Sequence, residues 1–76
     1  MMNNNDIILI NAVILEQRQT GHCLFDYDDY RHDLQEMADV IGVEMIYDED
    51  EEEWIFQNMY DECRVKEALA YYYETA

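Results

Sequence analysis

Ile7-Ile8-Leu9-Ile10-Asn11-Ala12-Val13-Ile14-Leu15 is the stretch on which the fold turns. Ile7, Ile8, Ile10, Val13 and Ile14 are branched at Cβ, and such side chains are stiff and favour strands. The run does not alternate, so as a strand it is buried on both faces or has one face against a second chain. Periodicity alone does not separate this from a buried helix capped by Asp6. The β-branched content favours the strand.

Downstream, residues 16–21 are polar and end in Thr20-Gly21, which reads as a turn. Cys23, Leu24 and Phe25 then suggest a second short strand over residues 22–27, closing a hairpin. In residues 28–41, Tyr30, Leu34, Met37, Ala38 and Ile41 recur at i, i+4, i+7, i+8 and i+11, which is one stripe of a helix. Asp28 suits the N-cap, Asp29 complements the helix dipole, and Gly42 suits a left-handed stop. Residues 43–47 and 54–57 read as two further strands. Between them stand six consecutive acids, Asp48-Glu49-Asp50-Glu51-Glu52-Glu53, which a hairpin loop keeps in water. Asn58, with Asp61 three positions on, opens a last helix. Its inward stripe is Val65, Ala68, Leu69 and Tyr72. Tyr71-Tyr72-Tyr73 cannot all face one way, so at least one is expected in solvent or against another chain. The predicted order is ββαββα: an α+β domain spanning residues 1–76, with a small antiparallel sheet of two hairpins and two helices.

Charge dominates the composition. The 76 residues hold 19 Asp or Glu and 4 Lys or Arg, a net charge of −15, yet half the chain is apolar. Large apolar side chains are numerous enough for a core, so the acidity does not imply disorder. A chain this short buries only roughly 60% of its unfolded surface, and self-repulsion weakens it further. A homodimer is therefore expected, through residues 7–15 or the last helix. A nucleic-acid binder is excluded, because phosphates would be repelled. The apolar run is too short for a membrane span. The N-terminus lacks the basic start of a signal peptide, so a cytoplasmic location is expected. In a reducing compartment Cys23 and Cys63 are expected as free buried thiols.

The candidates for chemistry are His22, Cys23, His32 and Cys63. Adjacent His22 and Cys23 would point to opposite faces of a strand, a poor arrangement for a base and a thiol. The four residues have none of the usual zinc-ligand spacings. Residues 48–53 begin like a calcium loop but place Glu53 where the turn glycine belongs. No enzyme activity, cofactor or dedicated metal site is expected.

The carboxylates themselves form the remaining constellation. Asp29, Asp33, Glu36 and Asp39 repeat at helical spacing away from the apolar stripe, with only Arg31 to offset them. Like charges at that spacing destabilise a helix by a few tenths of a kcal/mol per pair. A sequence selected for solubility alone would interleave lysines. A compact chain of this length is roughly 30 Å across, and 30 Å of duplex DNA carries roughly 18 charges.

In size, charge and the acids Asp26, Asp28, Asp29, Asp33, Glu36, Asp39 and Asp48 through Glu53, the chain resembles the small acidic DNA-mimic proteins of phages and mobile elements. Those proteins block restriction enzymes, CRISPR effectors, uracil-DNA glycosylase or nucleoid proteins. Gly21-His22-Cys23-Leu24-Phe25-Asp26, followed by an acidic helix ending at Gly42, is similar to the opening of antirestriction mimics. Within the class, a phage inhibitor of the bacterial nucleoid protein HU is the best single match. The resemblance implies an inhibitor that occupies the DNA-binding surface of a bacterial DNA-binding protein in the host cytoplasm, HU first. Anti-restriction or anti-CRISPR mimicry comes next. The expected contact residues are Asp29, Asp33, Glu36, Asp39, Asp48, Glu49, Asp50, Glu51, Glu52 and Glu53. The rival from another class is an interaction module such as an antitoxin. It would use residues 7–15 and the exposed members of Tyr71, Tyr72 and Tyr73.

Overall fold

The computed structural model describes residues 2–76. Three helices and one two-stranded hairpin follow in the order α1 (Asn4–Thr20), α2 (Tyr30–Val40), β1 (Met45–Asp48), β2 (Glu53–Phe56) and α3 (Met59–Thr75). The order is ααββα, so the expected ββαββα arrangement with two hairpins is wrong in its N-terminal half.

The stretch from Ile7 to Leu15 is helical because of what precedes it and what it reaches. Asn3 and Asp6 form a reciprocal capping box: the Asn3 side chain accepts from the Asp6 amide and the Asp6 side chain from the Asn3 amide. The Asp6 carboxylate, fully buried, then takes two hydrogen bonds from Arg64 of α3, at 2.8 and 2.7 Å. Arg64 also donates to the Ile41 carbonyl at 3.3 Å. One guanidinium thus ties the start of α1 to α3 and to the end of α2. Ile10 and Ile14, one turn apart, enter the core. Gly21, in the left-handed region at φ 75°, ends the helix and donates to the Gln17 carbonyl. The expected second strand is instead an irregular segment that buries Phe25.

The other expected elements are present. Helix α2 starts one residue later than expected, with Asp29 rather than Asp28 as its N-cap, and Gly42 follows it at φ 75°. Strands β1 and β2 pair antiparallel, Met45 with Phe56, Ile46 with Ile55, Tyr47 with Trp54 and Asp48 with Glu53. Asn58 caps α3 through the Asp61 amide, and Val65, Ala68, Leu69 and Tyr72 are buried as the stripe predicts. The core adds Leu34, Met37, Ala38, Ile41 and Val43.

Three further expectations are corrected. Tyr30 is exposed rather than part of the core. Cys23 and Cys63 are free but exposed. Neither Tyr71 nor Tyr73 stands open: Tyr71 bonds Asn11 and Tyr73 bonds Asp33, so both half-buried hydroxyls have partners within the chain. Among the described residues no helix is long and apolar enough to cross a membrane.

Removing one member of a buried ion pair leaves the other charge uncompensated, at a cost of about 3 kcal/mol or more. Arg64→Ala is expected to lower the thermal midpoint by at least about 12 °C, given about 4 °C or more per kcal/mol in a domain of this size. Circular dichroism melting at neutral pH checks this.

A candidate acidic protein-docking surface

Charge is segregated along the chain and in the fold. Between Asp26 and Glu62 lie 15 of the 19 acids and a single cation, Arg31. The segments on either side, which supply α1 and most of α3, are close to neutral. Arg31 at the start of α2 forms an ion pair with Glu53 of the hairpin. That contact ties the start of α2 to the start of β2, next to the hairpin loop.

The expected contact residues separate into distinct groups. Asp39, Glu49, Asp50, Glu51 and Glu52 are exposed. Asp29 is exposed but also caps α2, accepting from the His32 amide at 3.1 Å. Asp48 accepts from the Asp50 amide at 2.9 Å and so shapes the loop. Glu53 is engaged by Arg31. Crowding raises the Glu51 carboxyl above its ordinary value, first through a hydrogen bond with Glu53 and then through the charges of Glu53 and Asp48.

Asp33 belongs to none of these groups, because it is fully buried. Its carboxylate accepts from the Asp26 amide at 2.9 Å, the Tyr27 amide at 3.0 Å and the Tyr73 hydroxyl. Burial alone would raise its carboxyl, but the bonds from Tyr73, the Asp26 amide, His32 and the Tyr27 amide outweigh it and hold the value below the ordinary one. Asp33 thereby fixes Tyr27, a non-glycine residue held in the left-handed region at φ 65°. Its role is to anchor the segment before α2.

His32 lies on the rim of this anchor. Its ring faces Asp33 at 3.3 Å, Asp26 at 3.4 Å and half-buried Glu36 at 3.7 Å. The hydrogen bond to Asp33 and the charges of Asp26 and Glu36 raise its pKa against a smaller opposing effect of burial. Surrounded this way, the imidazole favours its cationic form and makes a poor general base. Cys23 sits beside the hydroxyl of buried Tyr72 at 3.7 Å, with Gln17 and Tyr27 completing a polar cluster. Among the described residues no group of three or more His, Cys, Asp or Glu is placed to hold a metal ion.

The shape alters the charge comparison. The molecule extends 40 × 24 × 17 Å, longer than the roughly 30 Å of a compact chain. Forty ångströms of duplex carry about 24 charges, so a net −15 falls short of parity when spread over the full length. Only the concentration of acids on α2 and the hairpin restores a high local density.

The charge pattern left another feature unnoticed. Ile46, Tyr47, Trp54 and Ile55 of the hairpin are all exposed. The signal was available: two short strands made almost wholly of large apolar residues have two apolar faces, and the core here reaches only the first rung of one of them.

Comparison with protein-family models, with curated proteins and with solved structures finds nothing that matches this chain.

The shifted groups set a pH window for stability. Asp6 and Asp33 have depressed values, so their contribution is complete above the ordinary 3.8 and is lost as pH falls through the folded values. His32 is raised, so its contribution is complete below 6.5 and is lost as pH rises through the folded value. Glu51 is also raised, which favours the fold below 4.5 and disfavours it above. Thermal midpoints are expected to be highest between these limits and to decline from pH 6 towards 8.5. In His32→Gln that decline should shrink; an equal decline would remove His32 as its source.

Proposed function

We propose that this chain is a DNA-mimic inhibitor: a protein that occupies the DNA-binding surface of a bacterial DNA-binding protein, with HU the first target to test. The observation that carries the proposal is the segregation of 15 acids with one cation into a single segment, with Arg31 and Glu53 joining its two halves. Carboxylates held on a folded surface present phosphate-like charge to a cleft lined by Lys and Arg. Binding releases the counterions of both surfaces, as binding of DNA does. The contact residues in this reading are Asp29, Glu36, Asp39 and the hairpin acids at positions 48–53, of which Asp48 and Glu53 form the last rung and only 49–52 the loop; Asp33 is left out because it is buried. They perform no chemistry.

A second copy of the chain is part of the proposal. Residues 7–15 carry no charge, and Ile8, Leu9 and Leu15 on the outer side of α1 are exposed, Ile8 by 64%. Two molecules at −15 repel each other wherever carboxylates meet. The uncharged side of α1 avoids this, and a contact there covers no acid of the proposed site.

Two measurements test these statements. Affinity for purified HU is expected to fall at least tenfold between 50 and 200 mM NaCl, and duplex DNA is expected to compete. Affinity insensitive to salt would refute mimicry and favour an interaction module of another kind. Sedimentation at micromolar concentration is expected to give the mass of two chains for the wild type and of one for Ile8→Glu.

A further inference from the structure

The hairpin carries more than its acids. Only its first rung, Met45 with Phe56, packs against the core. The Tyr47–Trp54 rung lies on the same face, nearer the loop. Its two rings meet edge to face with centroids 5.3 Å apart, yet Trp54 remains 49% exposed and Tyr47 45%.

Two open hollows share Trp54 as a wall. The first, of about 420 Å³, has an apolar floor of Ala38, Val43 and Met45 beneath Asp39 and Glu44. The second, of about 380 Å³, has Leu34, Met45 and Phe56 beneath Glu52, Glu53 and Glu62, but Arg31 also lines it and already pairs with Glu53, and Lys66 lies 3.8 Å from Glu62. Both have an apolar floor and an indole wall, but only the first has a carboxylate rim, of Asp39 and Glu44, with no cation among the described residues that line it.

We infer that the first hollow receives a basic side chain, arginine above all, from the protein on which the acidic surface docks, and that Trp54 is the centre of that contact. Long cationic side chains lay their aliphatic stems on apolar surface and keep the charged head at its edge. Guanidinium groups also stack on indole rings. Trp, Tyr and Arg are the residues that concentrate binding energy at protein interfaces. Charge selects the occupant. A second copy of this chain would set one carboxylate rim against another, nucleic acid would be repelled, and an uncharged partner would strip water from the rim acids without replacing it. A cationic protein segment satisfies floor, wall and rim together.

The inference rests on the reading of the acidic segment as a surface for a cationic partner, and the experiment separates the two. Trp54 is the sole tryptophan, so its fluorescence reports on the hollows directly. Nona-arginine peptide is titrated at 50 mM NaCl into the wild type, and its affinity is measured calorimetrically for the wild type, Trp54→Ala, Glu44→Gln and Glu74→Gln. The last removes one charge from exposed Glu74, outside the acidic segment. Saturable change in Trp54 emission is expected. Affinity should fall tenfold or more in Trp54→Ala and severalfold in Glu44→Gln, but less than twofold in Glu74→Gln. Should Trp54→Ala lose helical signal, Trp54→Leu keeps Met45 covered and replaces it. Wild-type binding that leaves emission unchanged, or that Trp54→Ala and Glu44→Gln weaken no more than Glu74→Gln does, overturns this inference alone. A wild-type chain that does not bind the peptide overturns the acidic-surface reading as well.

Discussion

The bidentate bond between Arg64 and Asp6 holds the three helices in one arrangement. Asp6 begins α1, Arg64 lies in α3, and the same guanidinium reaches the carbonyl that ends α2. A buried ion pair recovers its desolvation cost only when its geometry is good and the remaining hydrogen-bonding capacity is used. Both conditions hold, since Asp6 is also engaged in the capping box with Asn3. The pair also consumes one of only four basic side chains. Arg31 is engaged by Glu53, and Lys66 lies 3.8 Å from Glu62 on its own helix. The scarce cations thus serve internal connections, and little positive charge remains to screen the surface acids.

This dependence explains what was legible in the sequence. Helix α2, the hairpin and α3 announced themselves through local signals: an apolar stripe, a break at Gly42, an acidic loop between apolar strands, and Asn58 before a second stripe. Helix α1 did not, because strand preference of Ile and Val spans only about 1 kcal/mol and yields readily to context. The context here includes Arg64, 58 residues away in sequence, and no local pattern reveals that partner. The capping box at Asn3 and Asp6 was the available local clue. Asp33 was misread for a different reason. Position 33 borders the inward arc of positions 34, 37, 38 and 41, but an acid is an unlikely core residue until its donors are known. Those donors, the amides of Asp26 and Tyr27, come from a segment expected to be a strand.

The fold divides its labour. Helices α1 and α3, with net charges of −1 and −2, supply Ile10, Ile14, Val65, Ala68, Leu69 and Tyr72 to the core. Helix α2, also at −2, adds Leu34, Met37 and Ala38 from its inner side, and the hairpin is held by Met45, Phe56 and the Arg31 contact. Repulsion among the acids is therefore sharpest on the hairpin, which contributes least to the core. A two-stranded hairpin is marginal by itself, so six successive acids across its last rung and tip are tolerated only because its base is anchored.

Trp54 also has a structural use, since an aromatic cross-strand pair stabilises a hairpin by roughly 0.2–1 kcal/mol. That use does not account for its surroundings. Ile46 and Ile55 already form an apolar pair on the opposite face, and a threonine or valine at position 54 would support the strand with less apolar surface in water. The ring instead stands between two hollows, one rimmed by the carboxylates of Asp39 and Glu44 and the other by acids that Arg31 and Lys66 partly answer. Phosphate mimicry by charge alone has no need of an exposed indole. A surface that must hold basic side chains of another protein does, because charge brings such a partner near but discriminates weakly among cationic surfaces. Apolar floors and an aromatic wall supply the shape that charge lacks.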